Sequence, residues 1–360
     1  GQQEDGARAR ARRAMARGAA RRRGLAARAE AAAAVGGALL RAPPCCAASG
    51  ALPAPGPTGA SALERARALT APAPSRTKRG EFEGHEFWEQ HDALLAEAWS
   101  ELRPRRPALY EFGPGFEGRY VHGDLREAAA AARRGAGEAA AWSLFDEVVP
   151  GVFASDRLFT DLFLSDLLEE LEHIESSGIP RRRPNGMNRY GVILDQVGLE
   201  PCLQGLVAKY VRPLAGMLFP ELITATDAEE HYAFSVRYEA GGDTELAKHG
   251  DAAVATLNLC LGRLGWTGGE LEFFDYEASG IYALPRPASK GNVTFRPGMA
   301  VIHRGQHHHR ALRLRSGMRT NVVVWLFARH GVVRVAPYAP GEQLSASQRW
   351  GQAAARGLEL

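Results

Sequence analysis

A chain of 360 residues with 45% apolar and 24% charged side chains has a globular composition and enough length to bury a substantial core. No run approaches the roughly 18 to 20 unbroken apolar residues of a membrane-spanning helix. The net charge of +3 is uneven: residues 1–41 hold ten Arg against Glu4, Asp5 and Glu30, giving +7 there and leaving −4 for the rest. The basic character therefore belongs to a tail, which gives specific nucleic-acid binding by the folded body little support. Cys45, Cys46, Cys202 and Cys260 match no zinc or redox spacing. A reducing compartment, with a cytoplasmic location favoured, is the easier reading.

Residues 1–80 are rich in Ala, Arg, Gly and Pro and nearly free of aromatics. Such a segment cannot offset its ordering entropy, so a disordered tail is expected. Its Arg- and Ala-rich, acid-poor start also resembles an organelle transit peptide. Residues 81–150 read as a helical extension, with an amphipathic helix across 86–102 and an Ala/Gly-rich linker over Ala128–Ala141. Further helices are expected across Leu158–Ile174, stopped by Gly178 and Pro180, and across Pro201–Leu218.

From His231 the apolar period changes from 3.6 to 2. Tyr232, Phe234, Val236 and Tyr238 share one face of a strand, and Val254–Leu261, Glu270–Asp275, Gly298–His303 and Arg319–Phe327 are further strands. Helices followed by short strands indicate an α+β architecture, an all-β barrel or sandwich buttressed by helices. Residues 336–360 read as a C-terminal tail.

His249 and Asp251 stand two apart, so on a strand both side chains point the same way and can converge on one ion. A second His from a distant strand would complete a 2-His-1-carboxylate facial triad, which leaves open positions and points to iron(II) oxygenases. Three adjacent histidines, His307, His308 and His309, offer that ligand ahead of Arg319. A planar Arg fork suits the distal carboxylate of 2-oxoglutarate, and a buried Arg needs an anionic partner. The same face of the Arg319 strand carries Asn321, Val323 and Trp325.

Four stretches, RPNGMNRYGVIL (183–194), VRYEAGGDTELAKHGDAAVATLNLCLG (236–262), TGGELEFF (267–274) and HRGQHHHRALRLRSGMRTNVVVWL (303–326), occur in this order. Over residues 151–329 the chain resembles the prolyl 4-hydroxylase-type catalytic domain of the Fe(II)/2-oxoglutarate dioxygenases, and within them the 2-oxoglutarate- and iron-dependent oxygenase domain-containing protein 2 group. The resemblance implies a double-stranded β-helix, jelly-roll or cupin-like, forming a catalytic domain over 151–335. It implies metal ligands His249, Asp251 and a His ten residues before the co-substrate Arg, hence His309 ahead of His307 and His308. It implies that Tyr238 reaches 2-oxoglutarate; Asn258, on one strand face with Thr256, is expected to line the pocket. Arg313 departs from the Pro of many relatives.

The same resemblance implies Fe(II) as metal, 2-oxoglutarate as co-substrate, ascorbate as reductant, and a prolyl or lysyl side chain of a protein or peptide as target. Retention of Asp251 favours hydroxylation over halogenation. Asn185, Asn188 and Tyr190 belong to a turn-rich segment that is either a capping loop or a substrate-facing one. The rival readings are a catalytically silent β-helix scaffold, a cupin-type zinc or manganese enzyme, and electrostatic nucleic-acid association through the N-terminal tail.

Overall fold

A computed structural model describes residues 60–71, 85–134, 142–223, 231–262, 265–274 and 290–328, with the short segments 333–334 and 343–344. In chain order the first strands are β1 (Asp146–Val149), β2 (Val152–Ser155), β3 (His231–Glu239), β4 (Leu246–His249), β5 (Ala255–Cys260) and β6 (Thr267–Gly268). There follow β7 (Leu271–Phe273), β8 (Gly291–Val293), β9 (Ala300–Arg304), β10 (His309–Ala311), β11 (Leu314–Ser316) and β12 (Met318–Leu326). The larger sheet has the order β1-β2-β9-β5-β12-β3 and the smaller β4-β10-β7-β8. All their pairings are antiparallel. Two sheets in which late strands interleave with early ones form the double-stranded β-helix, or jelly-roll.

The pleat decides which side chains go where. Along β12, Val322, Val324 and Leu326 join Leu257, Leu259, Ala300 and Ile302 in the core beneath the helices. The alternate residues Asn321, Val323 and Trp325 face a cavity that both sheets line. Tyr232, Phe234, Val236 and Tyr238, expected on one face, pack in one cluster with Val323 and Trp325. A one-residue slip of β12 would exchange the two faces completely.

The helices are α1 (Ala62–Arg67), α2 (His85–Glu101), α3 (Pro114–Tyr120), α4 (Gly123–Arg133), α5 (Asp161–Ser176), α6 (Glu200–Leu206) and α7 (Arg212–Leu218). None is long and apolar enough to cross a membrane. On α5 the spacing of Leu164, Leu167, Leu171 and Ile174 presents one buried stripe to the larger sheet. That helix begins three residues later than expected, because the Thr160 hydroxyl accepts from the Phe163 amide (3.3 Å) and caps it.

Three expectations need correction. Residues 60–71 are ordered, not tail. Ser61 and Glu64 form a reciprocal capping box (3.2 and 3.0 Å), and Ala62 and Ala66 pack on Leu95 and Ala98 of α2. The Ala-rich stretch from Ala128 is helix as far as Arg133, because Ala is the strongest helix former and Ala128 and Ala129 bury without bulk. The expected helix over Pro201–Leu218 contains a π turn at Val207–Val211. Pro213 has no amide and would collide with the Lys209 carbonyl in a regular helix. The wider turn clears that carbonyl, which accepts from Arg133 Nη1 (2.6 Å).

The rest of the proposed 1–80 tail, including any transit peptide, and Cys45 and Cys46 lie outside the described residues. So does the 336–360 tail, apart from Gln343–Leu344, which pairs with Val333–Arg334. One hydrophobic core runs from Leu109 to Ala328, so the helical extension and the barrel share it across residue 150.

Ile302, 1% exposed, sits between the larger sheet and the helices. Ile302→Ala is expected to cost about 2–5 kcal/mol in urea unfolding. A cost below about 1 kcal/mol would contradict a close-packed layer there.

Candidate metal and co-substrate site

β4 and β10 are neighbours in the smaller sheet, and their register sets His249 directly opposite His309. The two imidazole centroids are 4.4 Å apart. Beyond β4 the chain turns back on itself: the Asp251 amide donates to the Gly305 carbonyl (2.7 Å), and the Gly305 amide donates to the Val254 carbonyl (3.0 Å). A Cβ on Gly305 would lie 1.9 Å from the Ala253 carbonyl oxygen, so only glycine permits this approach. The turn carries Asp251 beneath the two imidazoles, and ligand atoms of His249, Asp251 and His309 all fall within 4.8 Å of one another.

The local hydrogen bonds prepare these atoms for a cation. His249 Nδ1 lies 2.8 Å from the Ala247 carbonyl and His309 Nδ1 lies 2.9 Å from the His307 carbonyl. A carbonyl only accepts, so each Nδ1 carries the proton and each Nε2 keeps its lone pair. Those nitrogens stand 3.4 and 3.8 Å from Asp251 oxygens. Thr256 Oγ1 donates to Asp251 Oδ2 at 2.6 Å and fixes the carboxylate. Burial opposes the charge on Asp251, but the surrounding imidazoles hold its pKa well below the usual carboxylate range. Burial lowers the His249 pKa, but the adjacent Asp251 carboxylate, which would accept from the protonated imidazole, raises it overall, while burial lowers His309. Two imidazole nitrogens and one carboxylate oxygen on one side of a pocket fit a divalent iron with open positions.

Arg319 opens β12 and reaches into the same cavity of about 510 Å³. It is 2% exposed. Its Nη1 donates to the Gly269 carbonyl, its Nε has no partner, and its guanidinium lies 5.1 Å from the ring centres of both Tyr238 and Phe295. No carboxylate among the described residues pairs with it. Burial lowers its pKa, which measures how poorly this environment solvates the cation. The cavity therefore presents an anion-seeking guanidinium and a cation-seeking His-Asp-His cluster, the two ends required by a dicarboxylate that also chelates a metal.

The remaining expected residues divide. Tyr238 and Asn258 line the cavity. Burial raises the Tyr238 phenol, so its hydroxyl remains protonated and able to donate. Asn258 Oδ1 accepts from Asn321 Nδ2 at 2.7 Å. Asn185 and Asn188 also line it, but their amides are largely committed to the loop. Asn185 Oδ1 accepts from the Met187 and Asn188 amides (2.8 and 2.7 Å), and Asn188 Nδ2 donates to Tyr238 Oη (3.3 Å). Tyr190 is the exception: it is 37% exposed, packs under Arg189, and does not line the cavity.

His307 and His308 fall away from the cluster. His307 Nε2 meets the Phe274 carbonyl at 3.0 Å, and His308 is exposed. Two residues at the site were not among the expected metal or co-substrate residues. His303 is fully buried, its Nε2 3.9 Å from Asp251 Oδ2 and its ring edge-to-face with that of His309, centroids 4.7 Å apart. Asn321 lines the cavity beside Asn258 with its Oδ1 unpartnered. The only sequence signals were the alternation of β12 for Asn321 and the position of His303 before the Arg-Gly turn.

Residues 100–224 match an OGFOD2-like domain. Over 173 residues the chain is 42% identical to the 2-oxoglutarate and iron-dependent oxygenase domain-containing protein 2 of Homo sapiens, which covers 48% of this chain and 47% of that protein. It is 35% identical over 184 residues to the 2-oxoglutarate and iron-dependent oxygenase domain-containing protein ICU11 of Arabidopsis thaliana, covering 50% of this chain and 46% of that one. A more distant likeness, 27% over 171 residues, is to the Homo sapiens procollagen-lysine,2-oxoglutarate 5-dioxygenase 1, covering 45% of this chain and 22% of that one. The chain spans about half the length of the first two relatives. It is thus similar to the 2-oxoglutarate and iron-dependent oxygenases, and residues 100–224 carry the OGFOD2-like domain.

Burial depresses the pKa of His303 to about 3 and that of His307 to about 4. Both are neutral in the fold but take a proton near pH 6.5 when unfolded. Their contribution to stability is complete above about pH 6.5 and is lost as pH falls toward those values, because the unfolded chain then binds more protons. Urea midpoints at about pH 7 and pH 5 are expected to show lower stability at the acidic value, and His303→Gln to lessen that difference. An unchanged difference would mean that His303 is not buried as a neutral group.

Proposed function

We propose that this chain is an Fe(II)/2-oxoglutarate-dependent dioxygenase that hydroxylates a prolyl or lysyl side chain of a protein or peptide. The observation that carries this reading is the buried Arg319, without a carboxylate partner among the described residues, in one cavity with His249, Asp251 and His309. In this reading residues 151–335 are the catalytic segment and residues 81–150 its helical buttress. The likeness to a procollagen-lysine dioxygenase supports a protein target.

His249 and His309 offer Nε2 and Asp251 a carboxylate oxygen to iron(II), with Thr256 orienting the carboxylate. Arg319 binds the distal carboxylate of 2-oxoglutarate through its free guanidinium edge, and the Tyr238 hydroxyl and Asn258 amide hold the same co-substrate. The bound iron supplies O₂ activation coupled to conversion of 2-oxoglutarate to succinate and CO₂, with ascorbate keeping the metal reduced. The cavity walls Phe234, Val236, Leu246, Val323 and Trp325 exclude water from this region. A target side chain enters past Met187, Leu246 and Gln306, which line the same cavity. The Asn185–Asn188 turn shapes this entrance.

Purified protein with iron(II), 2-oxoglutarate and ascorbate is expected to form succinate slowly even without its target. His309→Ala should abolish this, and Arg319→Ala should raise the 2-oxoglutarate requirement by about 100-fold or more, since a charged hydrogen-bond partner is worth about 3 kcal/mol or more. No succinate, and no binding of 2-oxoglutarate to the metal-loaded protein, would replace this reading with the silent scaffold.

A further inference from the structure

His249 and His309 face the cavity, so their strand neighbours Lys248 and Arg310 face outward across one sheet thickness. Both are exposed. The register of β4 against β10 shifts between these pairs, placing Ala247 and Lys248 together opposite the single residue Arg310. Directly across from Arg310, on β7, is Glu272, and two residues further along the chain is Phe274.

Three cations converge on that one ring. Lys248 Nζ lies 4.4 Å, the Arg310 guanidinium 5.5 Å and Lys290 Nζ 5.8 Å from the Phe274 ring centre. Glu272, buried between them, pairs with Arg310 and with Lys290 (3.4 Å). Among the described residues Lys248 has no carboxylate partner, and there three cations face the single carboxylate Glu272. Like charges gathered round one apolar ring repel one another, which a bound anion would relieve.

We propose that this outer face of the smaller sheet docks an acidic peptide segment of the protein substrate. The inference rests on the hydroxylase reading above, and it names a chemistry for the substrate outside its target residue. β4 is the edge strand of its sheet and carries His249 at its end, so the patch is continuous with the proposed active site. A chain leaving the cavity past Leu246 reaches Lys248 by rounding the β4 edge. Nucleic acid suits the face less well. Three cations already lie against the Phe274 ring and compete with base stacking there, and Glu272 repels phosphate from the centre.

The test uses a fluorescein-labelled peptide bearing six consecutive Glu, its Gln counterpart, and a labelled single-stranded oligonucleotide of equal charge. Anisotropy is read on the full chain at low ionic strength. The Glu peptide should bind at least about tenfold more tightly than the Gln peptide, and Lys248→Glu should remove at least about tenfold of that affinity. Lys248→Gln, a milder change, should give an intermediate loss. Target-free succinate formation should be unchanged in both variants. Equal binding of the two peptides, indifference to both substitutions, or tighter binding of the oligonucleotide would each overturn the proposal. Charge-dependent peptide binding by a protein that forms no succinate would support the docking face while removing the hydroxylase reading.

Discussion

Everything at the candidate site depends on the two-residue alternation of the larger sheet. Each central strand has one face against the helices and one toward the cavity, so every apolar position on the first face is matched by a choice on the second. On β12 that choice is Arg319, Asn321, Val323 and Trp325. Burial of Val322, Val324 and Leu326 against the helices fixes the register, and a fixed register obliges Arg319 to be buried at the cavity. The helical core thus holds a costly charge in place from behind.

The smaller sheet supplies the opposite sign of requirement. Pairing of β4 with β10 aligns two imidazoles, and backbone carbonyls at Ala247 and His307 fix both in one tautomer. The approach at Gly305 then brings a carboxylate beneath them. Neither sheet alone makes a site: one carries an unneutralised cation, the other a convergent set of lone pairs. Their separation within one cavity suits a small dicarboxylate bridging the two.

Departures from the expected elements follow physical rules that operate over short distances. Ser61 and Glu64 form a capping box that a composition-based reading of an Ala- and Pro-rich tail passes over. The Ala-rich run after Ala128 looks like a linker only until a neighbour is available to bury Ala128 and Ala129. Strands such as β8, β10 and β11 have three residues each and leave no periodic trace. They exist because a partner strand completes their hydrogen bonds.

The sequence by itself determined the donor types, the two-residue step from His249 to Asp251, the strand face shared by Arg319, Asn321, Val323 and Trp325, and the long helices α2 and α5. Each is a local property, set by side-chain chemistry and the pleat or helical period. Tertiary structure decided which of three adjacent histidines joins His249 and Asp251, because that follows from pairing His309 with a residue sixty positions earlier. It also decided that Tyr190 points away, that His303 sits edge-to-face against His309, and that Lys248, Lys290 and Arg310 meet around Phe274. Residues distant in sequence come together only when strands pair across the barrel, and no local period records that pairing.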